Sequence, residues 1–380
     1  MLDINSNITT SKKITFFLVI LISSLVTFLL LFSGYFAYKK LSLSYDYCNS
    51  FGKIDSEIGW VLEKNVNSCL SLSNKISGEV FFDTKIYTDA NGFRTDKIDN
   101  NVLSSFLAIG DSWTFGYGVN GDETYPYYLS KLLKEPVHNS GVPAYGSAST
   151  YLYAKLNIEK IKPKTVIYFT KGLYRRSLCP KPWVNYVKNP QNLESDMHEK
   201  LLIPCYLVVN GNVNLLKPLT GVVEESVKNN VYPGGSLTSG YNSLWQYLLF
   251  TKPKAIFQEF KERFLYPLPD ETTKLEDYLI KKYELNSFLK LAFKNDFQFV
   301  LIDPHDDYKK IIITKDIDNI KNLIYIDSID WQEYFIKASI GMPADDLFVP
   351  MDGHFGKGAN KLIANLIYQK MIGRGTILAN

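Results

Sequence analysis

The feature that most constrains the fold of this chain is an alternation of short apolar runs with longer helix-like stretches. The runs are almost uninterruptedly apolar, which is typical of strands that are buried on both faces. Four strands are predicted in this way, at residues 104–109, 165–169, 297–303 and 322–327, and a further short strand at residues 136–139 completes the alternation. Three helices are predicted, at residues 123–134 with Asp122 as N-cap, 148–161 and 357–371. The alternation indicates βαβ units, and therefore a three-layer α/β fold with helices on both faces of a parallel sheet.

Two long segments fall outside this alternation. Residues 39–100 are rich in Asn, Ser, Asp and Lys, and this composition predicts a loosely structured lead-in segment rather than a separate domain. Residues 177–294 are too long for a loop and carry mixed helical patterning, so we interpret them as an insertion over the edge of the sheet where a site would lie. The α/β domain itself is expected over residues 101–375.

A long apolar stretch without a charged residue occupies residues 14–38. Its length is about what a helix needs to cross a bilayer. A buried core helix is one alternative, and a cleaved signal peptide, which has a shorter apolar region, is another. We predict one uncleaved transmembrane anchor after a cytoplasmic tail of residues 1–13. Lysine pairs at 12–13 and 39–40 flank the stretch on both sides, so the flanking charge does not fix its orientation.

Four cysteines help to place the domain, because they lie in two local pairs: Cys48 with Cys69 and Cys179 with Cys205. Their spacing lacks the CxxC pattern of zinc and thioredoxin sites. An even number of cysteines behind a membrane anchor indicates two disulfides and an oxidising compartment. Three pairings are possible, and the shorter loops favour Cys48–Cys69 and Cys179–Cys205. Four buried free thiols in a cytosolic domain are the alternative.

The charge of the chain argues against a nucleic acid partner. Its 42 basic and 39 acidic residues give a net charge of +3 and form no long block of either sign. Nucleic acid binding requires a basic patch or stripe. The membrane and small molecules are therefore better candidates as partners than nucleic acid.

A serine, Ser112, follows the first predicted strand in the segment GDSWTFGYG at residues 110–118. In open α/β sheets, ligands bind outside the carboxyl ends of the strands, which is where this segment lies. A serine there can point its hydroxyl into a cleft while nearby backbone N–H groups face the oxyanion that forms during acyl transfer. Ser112 is therefore a candidate nucleophile.

A histidine near the carboxyl end, His354, lies in the segment VPMDGHFGKGANKLIA just before the last predicted helix. The chain has only four histidines, and a carboxylate, Asp352, is close to this one in sequence. Histidine serves as a general base more often than any other side chain. Asp352 can orient the ring and stabilise its protonated form. A simple loop hydrogen bond is the alternative, and the pairing with Ser112 favours the catalytic interpretation.

The two segments together resemble blocks of a known family. GDSWTFGYGV and DGHFGKGANKLIA are similar, in this order, to the first and last blocks of the SGNH (GDSL-like) hydrolase superfamily. Between them, NSGVPAYG at residues 139–146 resembles the second block, whose glycine gives a backbone N–H to the oxyanion hole. In the lead-in, IGWVLEKN at 58–65 and TDANGFRTD at 88–96 resemble the segment that precedes the domain in membrane-associated bacterial members. The resemblance covers residues 55–175 and 295–371.

This resemblance implies a flavodoxin-like SGNH fold and a serine esterase or acyltransferase that acts on ester-linked acyl groups. It implies Ser112 as nucleophile and His354 as base, with Ser112 and Gly141 giving N–H groups to the oxyanion hole. Family members at bacterial membranes often act on acetylated cell-surface polysaccharide. An acylated carbohydrate or another small acyl ester is therefore the expected substrate. The expected location is the inner membrane, with a single span and a periplasmic or extracellular domain.

Two departures from the family pattern bear on activity. The third block usually reads Gly-x-Asn-Asp, but residues 170–176 read TKGLYRR, and Tyr174 stands in place of the asparagine with one hydroxyl proton to donate. The family commonly places aspartate three residues before the histidine, where this chain has Met351, which leaves Asp352 as the nearest carboxylate. Loss of one oxyanion donor typically costs about 10²–10³ in rate. The alternative function is therefore an impaired SGNH domain that binds glycan or a partner in an envelope assembly.

Two further patterns suggest other kinds of site. Gly116, Gly118 and Gly121 match the glycine fingerprint of dinucleotide binding, but they do not directly follow the strand, and no acidic residue closes the second strand. The segment DPHDD at residues 303–307 offers His305 and carboxylates to a metal, and a solvated loop is the favoured interpretation. We predict no cofactor and no metal.

Overall fold

The apolar runs form the centre of a nine-stranded sheet in the computed structural model, which describes residues 15–28, 31, 43–97, 104–170, 178–179, 203–218, 271–313 and 322–373. In chain order the strands are β1 (Leu43–Tyr47), β2 (Gly52–Asp55), β3 (Gly59–Leu62), β4 (Asn67–Asn74), β5 (Val80–Thr88), β6 (Arg94–Thr95), β7 (Phe106–Gly110), β8 (Val137–Gly141), β9 (Thr165–Phe169), β10 (Cys205–Val209), β11 (Asn212–Leu216), β12 (Gln298–Ile302) and β13 (Leu323–Ile326). The helices are α1 (Ser112–Phe115), α2 (Tyr125–Leu133), α3 (Ser147–Ile161), α4 (Glu271–Asn295), α5 (Lys309–Ile313), α6 (Ser328–Ala338), α7 (Ala344–Leu347) and α8 (Lys357–Gly373).

The central strands are parallel and lie in the order β8-β7-β9-β12-β13. Counted along the chain from β7, this is the 2-1-3-4-5 order of flavodoxin-like folds. Every residue of β7 and of β9 is buried. Helices cover both faces of a parallel sheet, so its strands have no polar side. The predicted parallel sheet is confirmed, and the five predicted strands differ from the observed ones only at their ends.

Alternate side chains of the central strands enter two separate cores. On one face, Ile109 of β7 shares a core with Ile158 of α3 and Phe288 of α4. On the other face, Ala108 shares a core with Ile363 of α8, and α2 packs on the same side. This alternation follows from the two-residue period of a strand. Helices therefore lie on both faces of the sheet, which is the predicted three-layer arrangement.

The lead-in segment is a sheet, and the prediction that it is loosely structured is wrong for residues 43–97. Strands β1, β4, β5 and β6 add four antiparallel strands to the β8 edge of the parallel sheet. In β4, serine alternates with leucine, and Leu70 and Leu72 are fully buried. Ser71 and Ser73 lie on the opposite face of the strand and are only partly buried, because successive side chains point to opposite sides. Their abundance lowers the apolar content of the segment without making it a loop.

Helix α4 falls within the predicted insertion of residues 177–294 but belongs to the α/β domain. Parallel neighbours such as β9 and β12 need a long crossover connection, and α4 supplies its helix. Leu285, Phe288 and Leu291 of α4 are buried in the core beneath the sheet. The insertion prediction is therefore wrong for α4. The other described parts of that segment are residues 178–179 and the hairpin of β10 and β11.

Both predicted disulfides are present. Cys48–Cys69 joins the residue after β1 to β4, and the Cys48 N–H also donates to the Cys69 carbonyl at 3.2 Å. Cys179–Cys205 joins residue 179 to the start of β10. The predicted pairing is confirmed, and each bridge restrains a segment outside the parallel sheet.

The predicted anchor is described only in part. Residues 15–28 and residue 31 are helical, and their large apolar side chains are exposed, among them Phe17 at 69% and Leu31 at 70%. This exposure contradicts the alternative of a buried core helix. Among the residues that the structure describes, no helix combines the length and the apolar character that a bilayer span requires. The rest of the predicted span of residues 14–38 lies outside the described part, and the anchor stays a prediction.

A buried carboxyl group, Glu284 of α4, lies against the sheet. Its side chain accepts a hydrogen bond from the Tyr168 hydroxyl at 2.7 Å, and Ser147 and Tyr308 also bond to it. Glu284 is only 1% exposed. Burial raises its pKa to about 7, against the opposing effect of these hydrogen bonds. At lower pH the native protein therefore holds this group in its neutral form.

The free energy of unfolding is expected to fall as the pH rises from 4.5, the ordinary pKa of Glu284, to about 7. As the pH rises, the unfolded chain releases this proton before the native protein does. The contribution of Glu284 to the free energy of unfolding, about 3 kcal/mol, is therefore fully present below pH 4.5 and is lost by about pH 7. Glu284→Gln keeps the acceptor oxygen but does not titrate. We therefore expect the variant to lose this part of the pH dependence in urea unfolding between about pH 4 and about pH 8. An unchanged pH dependence in the variant would show that Glu284 is ionised in the native protein.

Candidate active site

Ser112 is the first residue of α1 and comes two residues after the end of β7. Asp111 caps this short helix, because its side chain accepts a hydrogen bond from the Trp113 N–H at 3.0 Å. The Phe115 N–H donates to the Asp111 carbonyl at 2.9 Å. The chain thus turns sharply from strand to helix. Ser112 is held at the carboxyl edge of the sheet with 7% of its surface exposed.

Two glycines allow this turn to lie close to its neighbours. Gly110 has a φ of 154°, and a β carbon on it would lie 2.3 Å from the Thr114 Oγ1. Gly141, at the end of β8, pairs with Gly110, and a β carbon on it would lie 2.3 Å from the Phe115 nitrogen. Such distances are far below van der Waals contact. A larger residue at either position would displace α1 and with it Ser112.

Ser112, His354 and Asp352 form one hydrogen-bonded chain. The Ser112 Oγ lies 2.8 Å from the His354 Nε2, although the two residues are 242 positions apart in sequence. The other ring nitrogen, Nδ1, hydrogen-bonds to the Asp352 Oδ1. The structure therefore brings together the three residues that the sequence indicated as nucleophile, base and orienting carboxylate. Their arrangement is that of a serine–histidine–aspartate triad.

The loop before α8 holds Asp352 and His354 side by side. The Val349 N–H donates to the His354 carbonyl at 2.7 Å, and the Gly353 N–H donates to the Val349 carbonyl at 3.0 Å. At the tip of this turn, Met351 has a φ of 62°, a left-handed conformation that is uncommon for residues other than glycine. In this tight turn the residue two positions before the histidine, Asp352, contacts the imidazole ring. The residue three positions before it, Met351, does not serve this role, although the motif that the sequence resembles commonly has its aspartate there.

Asp352 is held as a carboxylate. Burial by itself disfavours its ionised form, but the hydrogen bonds and charge of His354 and the hydroxyl of Tyr45 outweigh burial and lower its pKa. The His354 N–H also donates to the Asp352 Oδ1 at 3.3 Å. A charged carboxylate on Nδ1 leaves Nε2 free to accept the serine proton. This is the tautomer that a general base needs.

Aromatic rings enclose the His354 imidazole. The Trp113 ring lies 4.8 Å and the Tyr117 ring 5.0 Å from it, measured between ring centroids. The Tyr47 hydroxyl lies 3.0 Å from the Tyr117 hydroxyl, which fixes the second ring. The His354 side chain is 21% exposed. The rings restrict the orientation of the imidazole and limit the access of water to it.

The sequence predicts Gly141 and Tyr174, together with Ser112, as hydrogen-bond donors to the oxyanion. The Gly141 N–H donates to the Asn139 side-chain oxygen at 3.0 Å, so in this structure it already has an acceptor within β8, and its role in the oxyanion hole stays a prediction. Ala144, three residues further on, has a φ of 67°, and no hydrogen bond to its N–H is found among the described residues. Strained backbone of this kind is concentrated at functional sites. Ala144 is therefore a further candidate donor in this loop, while Tyr174 lies outside the described residues.

The glycine fingerprint and the DPHDD segment have structural roles. Gly116 and Gly118 have φ values of 81° and 82°, so they serve the turn after α1. Asp303 is fully buried, contrary to the prediction of a solvated loop. Its carboxylate tolerates burial because the Tyr308 N–H and the Tyr325 hydroxyl each donate a hydrogen bond to it at 2.8 Å. His305 is exposed. No group of side chains that could hold a metal ion occurs in the described part of the chain.

Sequence reasoning missed Tyr45. Its hydroxyl donates to the Asp352 Oδ2 at 2.8 Å, across a sequence separation of 307 residues. Tyr45 lies in β1, within the segment that composition assigned to a loose lead-in. Only the position of β1 in the sheet brings this tyrosine to the site, so no local pattern could have indicated it.

Comparisons with known proteins add a weak structural likeness. No model of a protein family and no curated protein matches the chain. A solved structure from Desulfitobacterium hafniense DCB-2, described as a lipolytic protein of the G-D-S-L family, is similar to 70% of this chain and 98% of its own, with 15% identity and a TM-score of 0.32. This TM-score is too low to assign the fold, so the assignment rests on the strand order and register of the chain itself.

Proposed function

We propose that this chain is a serine hydrolase of the SGNH type that cleaves or transfers ester-linked acyl groups. The observation that carries the proposal is the continuous hydrogen-bonded chain from the Ser112 Oγ through His354 to Asp352. This chain lies at the carboxyl end of β7, in a sheet of 2-1-3-4-5 order, where open α/β sheets bind ligands.

In the proposed mechanism, His354 takes the proton of the Ser112 hydroxyl as the serine oxygen attacks the acyl carbonyl. The ester C–O bond then breaks, and the protonated His354 gives its proton to the leaving alcohol. The products of this half-reaction are an acyl-serine and a free hydroxyl group. In the second half, His354 activates water or an acceptor hydroxyl, which releases Ser112. Asp352 stabilises the imidazolium in both halves and does not itself become protonated.

The tetrahedral intermediate requires hydrogen-bond donors for its oxyanion. The Ser112 N–H lies in the first turn of α1, where backbone N–H groups have no partner within the helix. The Ala144 N–H is the second candidate, because its loop follows β8 and its backbone is strained. Two backbone donors would reduce the dependence on a side-chain amide, which this chain lacks at the position of Tyr174.

We propose an acylated carbohydrate, with acetyl as the acyl group, as the substrate class. The support is the resemblance to membrane-associated bacterial SGNH proteins. The two disulfides favour an oxidising compartment, which is consistent with a domain on the outer side of an inner-membrane anchor. Water as acceptor makes the protein an esterase, and a sugar hydroxyl makes it an acyltransferase.

A fluorophosphonate probe tests the proposal directly, because it labels a serine only when a base activates it. We expect the full-length protein in mild detergent to be labelled and to hydrolyse p-nitrophenyl acetate. Ser112→Ala should abolish both results, and His305→Ala, at the exposed histidine, should leave both unchanged. A wild-type protein that shows neither reaction but binds acetylated glycan would establish the alternative, an impaired SGNH domain with a binding role.

A further inference from the structure

Strand β1 delivers a side chain to the catalytic carboxylate. β1 is the edge strand of the sheet and pairs with β4, with Tyr45 opposite Leu72. The hydroxyl of Tyr45 donates to the Asp352 Oδ2 at 2.8 Å. The two oxygens of Asp352 are thus divided between two partners, since Oδ1 is bonded to His354.

This division fixes the plane of the carboxylate. A carboxylate bonded through one oxygen can rotate about its bond to the β carbon, and rotation would carry Oδ1 away from the His354 Nδ1. A donor on Oδ2 opposes that rotation. Among the described residues, Tyr45 is the only side chain that bonds to Oδ2. Hydrogen bonds to charged groups are about twice as strong as neutral ones.

Tyr45 is itself well positioned. Its ring packs against Phe82 at 6.5 Å and Tyr117 at 6.3 Å between centroids. Three residues further along the chain, the Cys48–Cys69 disulfide ties the end of β1 to β4. Burial and the nearby charge of Asp352 raise the pKa of Tyr45, so its hydroxyl keeps its proton and remains a donor at physiological pH.

We propose that Tyr45 is a positioning residue of the catalytic site, which holds Asp352 in the orientation that His354 requires. The antiparallel lead-in strands then contribute a side chain to the site, in addition to extending the sheet of the α/β domain. This inference rests on the proposed function for its meaning in catalysis. The hydrogen bond itself can be tested without turnover.

The kinetic test replaces Tyr45 by phenylalanine in the full-length protein in mild detergent. The change removes one hydroxyl and keeps the ring, so we expect kcat for p-nitrophenyl acetate to fall roughly tenfold with little change in KM, because the lost bond to a charged group acts in the chemical step. Tyr87→Phe, which removes a hydroxyl without a described partner in the same lead-in sheet, is the matched control and should retain wild-type kcat. Equal kcat in wild type and Tyr45→Phe would overturn the inference.

The turnover-independent test uses the low-field proton resonance of the His354–Asp352 hydrogen bond. It is measured in Ser112→Ala, so that activity plays no part. We expect the Tyr45→Phe change to shift or broaden this resonance and Tyr87→Phe to leave it unchanged. An inert wild type with a Tyr45-dependent resonance would refute the proposed function and keep the positioning role. An active wild type whose resonance ignores Tyr45 would refute the positioning role alone.

Discussion

Ser112→Ala and His354→Ala are each expected to abolish acyl-ester turnover, with a loss in kcat on the order of 10⁶-fold. The Ser112 Oγ and the His354 Nε2 are 2.8 Å apart, so each residue depends on the other for the attack on the carbonyl. Without the hydroxyl there is no acyl-serine, and without the imidazole the hydroxyl keeps its proton. Steady-state hydrolysis of p-nitrophenyl acetate measures both losses.

The double variant distinguishes a catalytic pair from two unrelated residues. Because nucleophile and base act as one unit, Ser112→Ala with His354→Ala should lose little more than either single variant. Melting temperature is the control, since both side chains point into the site and their loss should leave the packing of the core nearly unchanged. Losses that multiply, or a large fall in melting temperature, would point to separate structural roles.

Asp352→Asn is expected to lower kcat by roughly 10⁴-fold, the second largest effect. The asparagine amide can present its N–H₂ to the His354 Nδ1, which would leave the proton on Nε2, where it blocks the acceptance of the serine proton. Asp345→Asn, an exposed aspartate of the neighbouring helix α7, is the matched control and should leave kcat unchanged. Full activity in Asp352→Asn would assign the orientation of the ring to another group.

Binding of the substrate should survive the Asp352 change, because asparagine has the same size and the Tyr45 hydroxyl can still donate to its side-chain oxygen. We therefore expect the loss in kcat with a KM close to that of wild type. A loss confined to KM would instead place Asp352 in substrate binding, and the triad interpretation would fail at its third member.

The parallel sheet could be predicted from sequence because burial on both faces leaves a direct trace. Strands β7 and β9 each contain a run of four apolar residues, FLAI and VIYF, a length and composition typical of buried strands. The lead-in strands leave no such trace. In β4, alternate residues are polar, and the strand resembles a loop when only composition is considered. Helix α4 is not recognised as part of the α/β domain from sequence, because the crossover between β9 and β12 is long and its mixed patterning is typical of an insertion.

At the site, the sequence indicated the residues that stand in recognisable short motifs and gave no sign of a residue type that is frequent throughout the chain. Ser112 and His354 stand in short motifs whose order along the chain matches the family. Tyr45 is one of 26 tyrosines, and nothing near it in sequence marks it. Two backbone features of the site also have no signal in the sequence. One is the hydrogen bond from the Gly141 N–H to the Asn139 side-chain oxygen, and the other is the left-handed φ of Ala144.

The order of the catalytic residues along the chain sets the time at which the site can first exist. Ser112 pairs with a residue 242 positions later, and Tyr45 reaches a partner 307 positions later. A growing polypeptide therefore carries a serine without its base until His354, 242 positions later, has been added. Contacts between such distant positions also form slowly in folding. Until the loop that carries His354 packs beside Ser112, the serine has no base and cannot attack an ester.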